Sequence, residues 1–168
     1  MITRKEMTRM LLKEGLLSCL DNHSFESLTV TLLCKASGIT RSTFYLHYSN
    51  IMEIVDDLVD DAIAYSKPGM VDNNNLQTIA NTLSAASNSV SLREAYDSIF
   101  DRLPLCQRII RHKKYLPLFL DEQISEYVLQ RIIGREKDRQ GLVVAKALGV
   151  SFDVGVSVFV FLVHGLYA

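Results

Sequence analysis

The residues from Thr29 to Asn50 constrain the fold of this chain more than any other stretch, because they predict two short helices joined by a sharp turn. They read TVTLLCKASGITRSTFYLHYSN. Thr29 is suited to cap the first helix, in which Val30, Leu33 and Cys34 recur at helical spacing. The segment therefore opens with a helix that buries one face.

The second part of this stretch predicts a turn and a new helix. Gly38 can adopt the left-handed backbone conformation that a sharp turn needs, and the apolar Ile39 can fill the corner. Thr40 is suited to cap the next helix, in which Phe44 and Tyr48, four residues apart, point inward. The side chains left facing outward are those of Arg41, Ser42, Thr43, Tyr45 and His47. This pattern is typical of a helix-turn-helix, whose second helix meets base edges in the major groove of DNA.

The string AxxGITRSTFYLHYSN resembles the recognition segment of the tetracycline-repressor (TetR/AcrR) family of bacterial transcription regulators. The resemblance extends from about residue 5 to about residue 65. The chain departs from the family pattern at Ile51, where the family often has a lysine that contacts phosphate. The positions that match the pattern are Ala36, Gly38, Ile39, Thr40, Thr43, Phe44, Tyr45, His47, Tyr48 and Asn50.

The outward side chains differ in what they can recognise on DNA. Arg41 is the candidate reader of guanine, because its planar fork of donors matches the O6 and N7 acceptor pair. Thr43 is a candidate for a hydroxyl contact or a contact with a thymine methyl group. Ser42 and Thr31 are candidates that are equally compatible with no contact at all.

Phosphate contacts are expected from a second set of residues. Hydroxyl, imidazole and amide groups can all donate to phosphate oxygens, and the N–H groups at helix starts add to them. The phosphate contact that Ile51 cannot make is expected from the Asn50 side chain or from the N–H groups at the start of helix 51–66. The other candidates for phosphate contacts are Thr29, Thr40, Tyr45 and His47.

Neither the charge nor the composition of the chain indicates DNA binding by itself, so that interpretation depends on the helix-turn-helix motif. The net charge of the 168 residues is −1, and residues 1–50 hold six basic and four acidic residues, a net charge of +2. Three cysteines are too few for a disulfide scaffold and suit a reducing compartment, and the N-terminal residues lack the apolar core of a signal peptide. We therefore expect a cytoplasmic protein that is associated with the bacterial nucleoid.

The rest of the chain predicts an all-α protein with two parts. Helices are expected over 3–22, 51–66, 76–90, 91–102, 104–114, 117–138 and 141–149. Residues 1–50 form the predicted DNA-binding domain, helix 51–66 connects, and residues 67–168 form a domain for ligand sensing and dimerisation. The polar run at 72–75 is the expected boundary. The acidic residues of helix 51–66 alternate with apolar ones and predict a solvated face.

The final segment, 151–168, is almost wholly apolar and has three interpretations. Its apolar run of about fifteen residues is short for a membrane span, which needs roughly 20. Its β-branched and aromatic residues also fit a strand, although no other strand pattern accompanies it. We favour a helix buried on nearly all sides, with one face in the domain core and the other against a second subunit. The abrupt end at HGLYA suggests that the natural protein continues beyond residue 168.

No residue pattern predicts a catalytic or metal site. Cys19 and His23 are four residues apart, but no second pair at ligand spacing accompanies them, so we expect no metal, no cofactor and no enzymatic activity. Aromatic residues of the second domain are candidates either for its core or for the wall of a pocket for a small effector. These are Tyr96, Phe100, Tyr115, Phe119, Tyr127, Phe159 and Phe161.

Together, these features predict a homodimeric repressor that binds double-stranded operator DNA of palindromic sequence and responds to a small molecule. The resemblance implies that an effector in the second domain changes the spacing of the two DNA-binding heads. The alternative is a DNA-binding dimer whose second domain binds a protein partner. An apolar cavity inside the second domain would favour the effector, and a filled core would favour the partner.

Overall fold

The computed structural model describes residues 2–65 and 113–165, and throughout these two ranges the protein is built from helices without any strand. The predicted all-α class is confirmed. The described residues belong to two compact units. Unit one comprises 2–62 and 113–131, and unit two comprises 63–65 and 132–165.

Helix α1, Arg4–Leu20, begins at the capping box that the sequence predicted. The Thr3 hydroxyl accepts a hydrogen bond from the backbone N–H of Glu6 at 3.2 Å, and the Glu6 carboxylate accepts one from the Thr3 N–H at 2.7 Å. The helix ends two residues before the predicted position. Its buried stripe, which packs α1 against the next helix, consists of Leu12, Gly15, Leu16, Leu17 and Cys19.

Helices α2, Val30–Ser37, and α3, Arg41–Tyr45, follow a single 3-10 turn at Phe25–Ser27. Thr29 and Thr40 cap them through their hydroxyl oxygens, as predicted. Between the helices, Gly38 has φ +66°, and the Ile39 N–H donates to the Cys34 carbonyl at 3.0 Å. This is the left-handed turn that only glycine adopts without strain.

Helix α4, Ile51–Tyr65, presents its predicted apolar face to the interior. A face of this width is what a helix needs to join a core. The side chains of that face are all at most 4 % exposed, and they are Ile54, Val55, Leu58, Val59, Ala62 and Ile63.

Helices α5, Leu116–Leu120, and α6, Ser125–Leu148, differ from the prediction of helices over 117–138 and 141–149. The first prediction was wrong because Asp121 leaves the helical conformation. Its carboxylate accepts hydrogen bonds from the N–H groups of Gln123, Ile124 and Phe25, at 3.0, 3.3 and 2.7 Å. The second was wrong because α6 continues without a break through Gly141.

Helix α7, Phe152–Gly165, settles the conformation of the apolar C-terminal segment. The strand interpretation is wrong, and Gly149, at φ +65°, separates α7 from α6 at the predicted position. No single helix among the described residues is long and apolar enough to cross a membrane. Taken together, α6 and α7 meet that length and composition requirement, but they are bent by 108° at the break between them.

Several predictions concern residues that the structure does not describe. The helices expected at 76–90 and 91–102 and the boundary at 72–75 lie outside the described residues. So does the helix expected at 104–114, apart from 113–114, which form a turn. The division of the chain at residues 50 and 67 stays a prediction.

Candidate nucleic-acid interface

Helix α3 exposes one face and buries the other. Phe44 is fully buried and Tyr48 is 3 % exposed, so the two aromatic residues expected to point inward do so. Arg41, Ser42 and Tyr45 are exposed, as expected. Three candidate contact residues therefore share an accessible surface that is fixed from behind by the core.

Thr43 and His47 differ from the expectation that they face outward, since both are half-buried. The helical period does not account for this: at 3.6 residues per turn, position 45 lies as near to the inward positions 44 and 48 as position 47 does, and Tyr45 is exposed. The His47 Nδ1 atom is buried and has no hydrogen-bond partner among the described residues. Only Nε2 of this imidazole remains to contact a phosphate group.

The threonine caps are also the candidate phosphate contacts. Thr29 Oγ1 accepts from the N–H of Leu32 at 3.1 Å, and Thr40 Oγ1 accepts from the N–H of Thr43 at 3.2 Å. Thr40 Oγ1 further lies 3.0 Å from Ser42 Oγ and 2.9 Å from Thr43 Oγ1. The hydroxyl groups at the start of α3 thus form one exposed cluster that is held by the helix start.

Thr31 and Asn50 are both exposed, and the Asn50 side chain also forms a hydrogen bond at the start of α4. Its Oδ1 accepts from the N–H of Glu53 at 3.1 Å, while the Glu53 carboxylate accepts from the N–H of Ser49 at 2.8 Å. Asn50 therefore caps α4, and its side-chain amide is the group that remains to donate to phosphate.

Leu46 belongs to the same surface, and the sequence interpretation missed it. It follows α3 directly and is 81 % exposed, next to Tyr45, which is 52 % exposed. A signal was present in the sequence. Since Phe44 and Tyr48 point inward, position 46 midway between them points outward, and an apolar residue there has no core to join.

The ring of Tyr45 is oriented by its neighbour. The Phe44 and Tyr45 ring centroids lie 5.1 Å apart with an interplanar angle of 89°, which is the edge-to-face geometry that aromatic pairs prefer. Because Phe44 is fixed in the core, it restricts the position of an otherwise exposed ring.

Three elements of unit one converge behind α3 on the carboxylate of Asp57. The Tyr48 hydroxyl donates to Asp57 Oδ2 at 2.6 Å, and Arg9 Nε donates to the same oxygen at 3.1 Å. The Arg9 guanidinium also lies over the Tyr48 ring, 5.1 Å from its centroid. This Arg9–Tyr48–Asp57 network links α1, the residues after α3, and α4.

The network shifts the ionisation of its members. Burial would raise the pKa of Asp57, but the hydrogen bonds from Tyr48 and Arg9 outweigh it, and the pKa lies below its ordinary value. Burial, and then the hydrogen bond to Asp57, raises the pKa of Tyr48 well above its ordinary value. At neutral pH, Asp57 is therefore a carboxylate and Tyr48 a neutral donor.

The solvated acidic face predicted for α4 was wrong, because three of its carboxylates are half-buried and paired. Besides Asp57, Asp61 forms an ion pair with Lys13 of α1. Asp56 accepts from the Tyr127 hydroxyl at 2.7 Å and pairs with Arg131 at 3.1 Å. No local pattern identifies these partners, because Arg9 and Lys13 lie 48 positions and Tyr127 lies 71 positions from the carboxylates they contact.

The pocket candidates that the structure describes are divided between the two units. Tyr115 and Phe119 are buried in unit one, and Phe159 is buried in unit two. Tyr127 is 39 % exposed with its hydroxyl bonded to Asp56, and Phe161 is 74 % exposed. Phe161 lines a shallow surface cleft of about 350 Å³ together with Asp153, Val154, Ser157 and Val158, and the role of both Tyr127 and Phe161 in an effector pocket stays a prediction. Tyr96 and Phe100 lie outside the described residues.

A surface cleft of about 580 Å³ in unit one does not involve these aromatic residues. It lies between the end of α1 and residues 113–123, and its lining includes Asp21, His23 and Glu122. Within the described ranges, no three His, Cys, Asp or Glu side chains are grouped closely enough to hold a metal ion.

No known protein-family model, curated protein or solved structure matches this chain.

Proposed function

We propose that this protein is a transcription regulator of the tetracycline-repressor type, which binds a palindromic DNA operator as a homodimer through α3 and represses the genes beside it. The observation that carries the proposal is the accessible face of α3, where Arg41, Ser42 and Tyr45 project outward while Phe44 and Tyr48 are buried.

The geometry of α2 and α3 supports this proposal. An eight-residue helix, a left-handed glycine and a five-residue helix follow one another, with α2 packed against both α1 and α3. In a helix-turn-helix, the first helix crosses the DNA backbone while the second inserts into the major groove. A short, well-anchored second helix suits that task.

The distribution of cations also supports a defined orientation on DNA. Arg9 and Lys13 are engaged by Asp57 and Asp61 and lie behind α3. Arg41 and Lys35 are exposed at the end of α2 and the start of α3. Lys35 and Arg41 thus place exposed positive charge on the side of the turn and α3, where base contacts are proposed, and Arg4 and Lys5 add exposed charge at the start of α1.

An exposed apolar surface on α7 supports the dimer. Val154 and Leu162 are exposed by 46 and 44 %, and Phe161, on the same side of the helix, by 74 %. Water-exposed aromatic and aliphatic side chains in such number mark an interaction surface. A second copy of the chain covers it in the proposed assembly, which places two α3 helices on one palindromic site.

We also propose that a small molecule binds the second domain and regulates DNA binding. An effector acts by binding better to one of two arrangements of the DNA-binding heads. A helical dimer whose second domain binds a protein partner is the rival. Isothermal titration calorimetry with candidate effectors tests the first alternative. Co-purification of a protein that binds the second domain tests the rival.

The proposed function is tested through Arg41. We expect Arg41→Ala to weaken binding to the selected operator by ~1–3 kcal/mol and to relax preference at one base pair, because a bidentate contact with guanine is lost. Operators are selected from random duplexes, and affinities are measured by fluorescence anisotropy.

Arg41→Lys is the matched control. Lysine keeps the positive charge but lacks the planar fork, so it restores attraction to phosphate without restoring base preference. Failure of the wild-type protein to enrich any sequence would contradict the proposed function. Unchanged selectivity of Arg41→Ala would contradict the role of Arg41 alone.

A further inference from the structure

Leu46 has the highest exposed fraction, 81 %, of the large apolar side chains among the described residues. Burying a leucine side chain is worth about 1.5–3 kcal/mol, so its exposure forgoes a large stabilisation in the isolated protein. A single exposed leucine is ordinary on a protein surface, and what distinguishes Leu46 is its place beside Tyr45 on the outward side of α3.

The position of Leu46 is fixed by the backbone. The residue has φ −75° and ψ −16°, and its N–H donates to the Thr43 carbonyl at 3.2 Å. It therefore continues the helical turn of α3, and it lies four residues after Ser42, on the same face. Together with Tyr45, these residues form the outward surface that is opposite the buried Phe44 and Tyr48.

The major groove offers one apolar group along the edges of its bases, the 5-methyl group of thymine. The polar residues of α3 can pair with donors and acceptors, whereas an aliphatic side chain forms no hydrogen bonds and is suited to contact with that methyl group. The leucine side chain is not branched at Cβ, so its two terminal methyl groups stand away from the helix. From an outward position on α3 they can reach into the groove.

We propose that Leu46 is a specificity-determining residue that packs against a thymine 5-methyl group of the operator, in each half-site. The inference rests on the proposed function and deepens it, since it assigns to Leu46 a base preference that hydrogen-bonding residues cannot supply. It also moves the thymine contact, for which the sequence suggested Thr43, to a residue with a more accessible side chain.

The test removes the methyl group and the side chain separately. In the selected operator, each thymine is replaced in turn by deoxyuridine, which differs only by the 5-methyl group. Binding of the wild-type protein and of Leu46→Ala is measured for every duplex. For the wild type, we expect about a fourfold loss of affinity at one thymine per half-site, equivalent to roughly 0.8 kcal/mol for one buried methyl-sized group.

In Leu46→Ala the same deoxyuridine replacement has no further effect, because its partner side chain is already absent. This non-additivity identifies a direct contact. If the replacement weakens both proteins equally, or if no thymine methyl group affects the wild type, the proposal is overturned. It is likewise overturned if Leu46→Ala binds its operator as the wild type does.

Leu120→Ala provides the matched control. Leu120 is 71 % exposed in the same unit but lies in α5, so its truncation removes a comparable apolar group elsewhere. We expect it to retain both wild-type affinity and wild-type sensitivity to deoxyuridine. Selection of an operator that depends on Arg41 tests the proposed function separately from the role of Leu46. If the wild type selects an operator in this way but is insensitive to the loss of thymine methyl groups, only the role of Leu46 fails.

Discussion

Asp57 is the residue on which the position of α3 depends most directly. It accepts hydrogen bonds from Tyr48 and Arg9, and it stands on α4, so one carboxylate joins three elements. Tyr48 is buried at 3 % exposure and follows α3 by three residues. Asp57 does not contact the outward face of α3 itself. Its substitution is expected to alter the position of that face by releasing Tyr48.

We expect Asp57→Asn to lower the free energy of unfolding by about 1–2 kcal/mol at pH 7, since charge-assisted hydrogen bonds are lost in a partly exposed site. The pH dependence has a defined sign. The pKa of Asp57 is lowered in the folded protein, so its stabilisation is present above the ordinary carboxyl value near pH 4 and is lost as pH falls through the lowered pKa.

Urea unfolding between pH 3 and pH 7 measures this prediction. The difference between wild type and Asp57→Asn is expected to shrink toward the acid end. Glu26→Gln removes an exposed carboxylate of the 3-10 turn and serves as the control. A difference between wild type and Asp57→Asn that stays constant with pH would exclude an ionised Asp57 as the cause.

Other single residues separate what was predictable from what was not. The capping roles of Thr3, Thr29 and Thr40 were predictable, because a cap depends on residues within three positions of it. The half-burial of Thr43 and His47 does not follow from the helical period, since Tyr45 lies at least as near the inward positions 44 and 48 as they do and is exposed. The hydrogen bonds of Asp57 depend on packing between elements, which no local pattern contains.

Among the elements, α6 and α7 pack unusually closely at Gly155. A Cβ atom at this position would lie 2.3 Å from the Gly141 carbonyl oxygen and 2.7 Å from the Ala145 Cβ. Both obstacles belong to the α6 backbone or its shortest side chains, so neither can rotate away. The small residues therefore set the separation of the two helices.

We expect Gly155→Ala to destabilise the protein by about 1–3 kcal/mol, because the helices must move apart to admit the methyl group. Thermal unfolding measures the change. Gly134→Ala is the matched control in α6, where a new Cβ meets nothing within 4 Å. There we expect a gain of about 0.5–1 kcal/mol from helix propensity. Equal effects of the two substitutions would disprove the close-packing explanation.

Some helix ends are set by residues close in the chain, and others are set by contacts between distant elements. The ends of α2 and α6 were predictable within one or two residues, from Gly38 and from Gly149 respectively. The break at Asp121 was not, because one of its hydrogen bonds goes to Phe25, 96 positions earlier. Gly141 did not end α6, since its lack of a side chain serves the contact with α7.

At the scale of the whole molecule, the proposed dimer depends on the exposed side of α7. Phe161 is 74 % exposed there, so its substitution does not disturb a core. We expect Phe161→Glu to weaken dimerisation on the order of 100-fold, because two phenylalanine side chains lose at least ~1.5 kcal/mol each of apolar burial. Analytical ultracentrifugation over a range of concentrations measures the dissociation constant.

Leu120→Glu controls for the added charge at an equally exposed site in unit one. It is expected to dimerise as the wild type does. If both variants dimerise normally, another surface must join the subunits. If Phe161→Glu is monomeric and binds an isolated half-site but not the complete palindrome with high affinity, the proposed pairing of two heads is supported.

The sequence alone determined that this protein is helical, where α2 and α3 begin, where the chain turns between them, and which aromatic residues anchor α3. These properties follow from interactions within a few residues: caps, helical periodicity and the left-handed glycine. Only the tertiary structure decided that the acids of α4 are paired, that Asp57 holds Tyr48, and that no other element of the described structure covers the outward Leu46, which is left 81 % exposed. Pairing between distant helices and exposure of a side chain both depend on which surfaces meet after folding, and that information is not local in the chain.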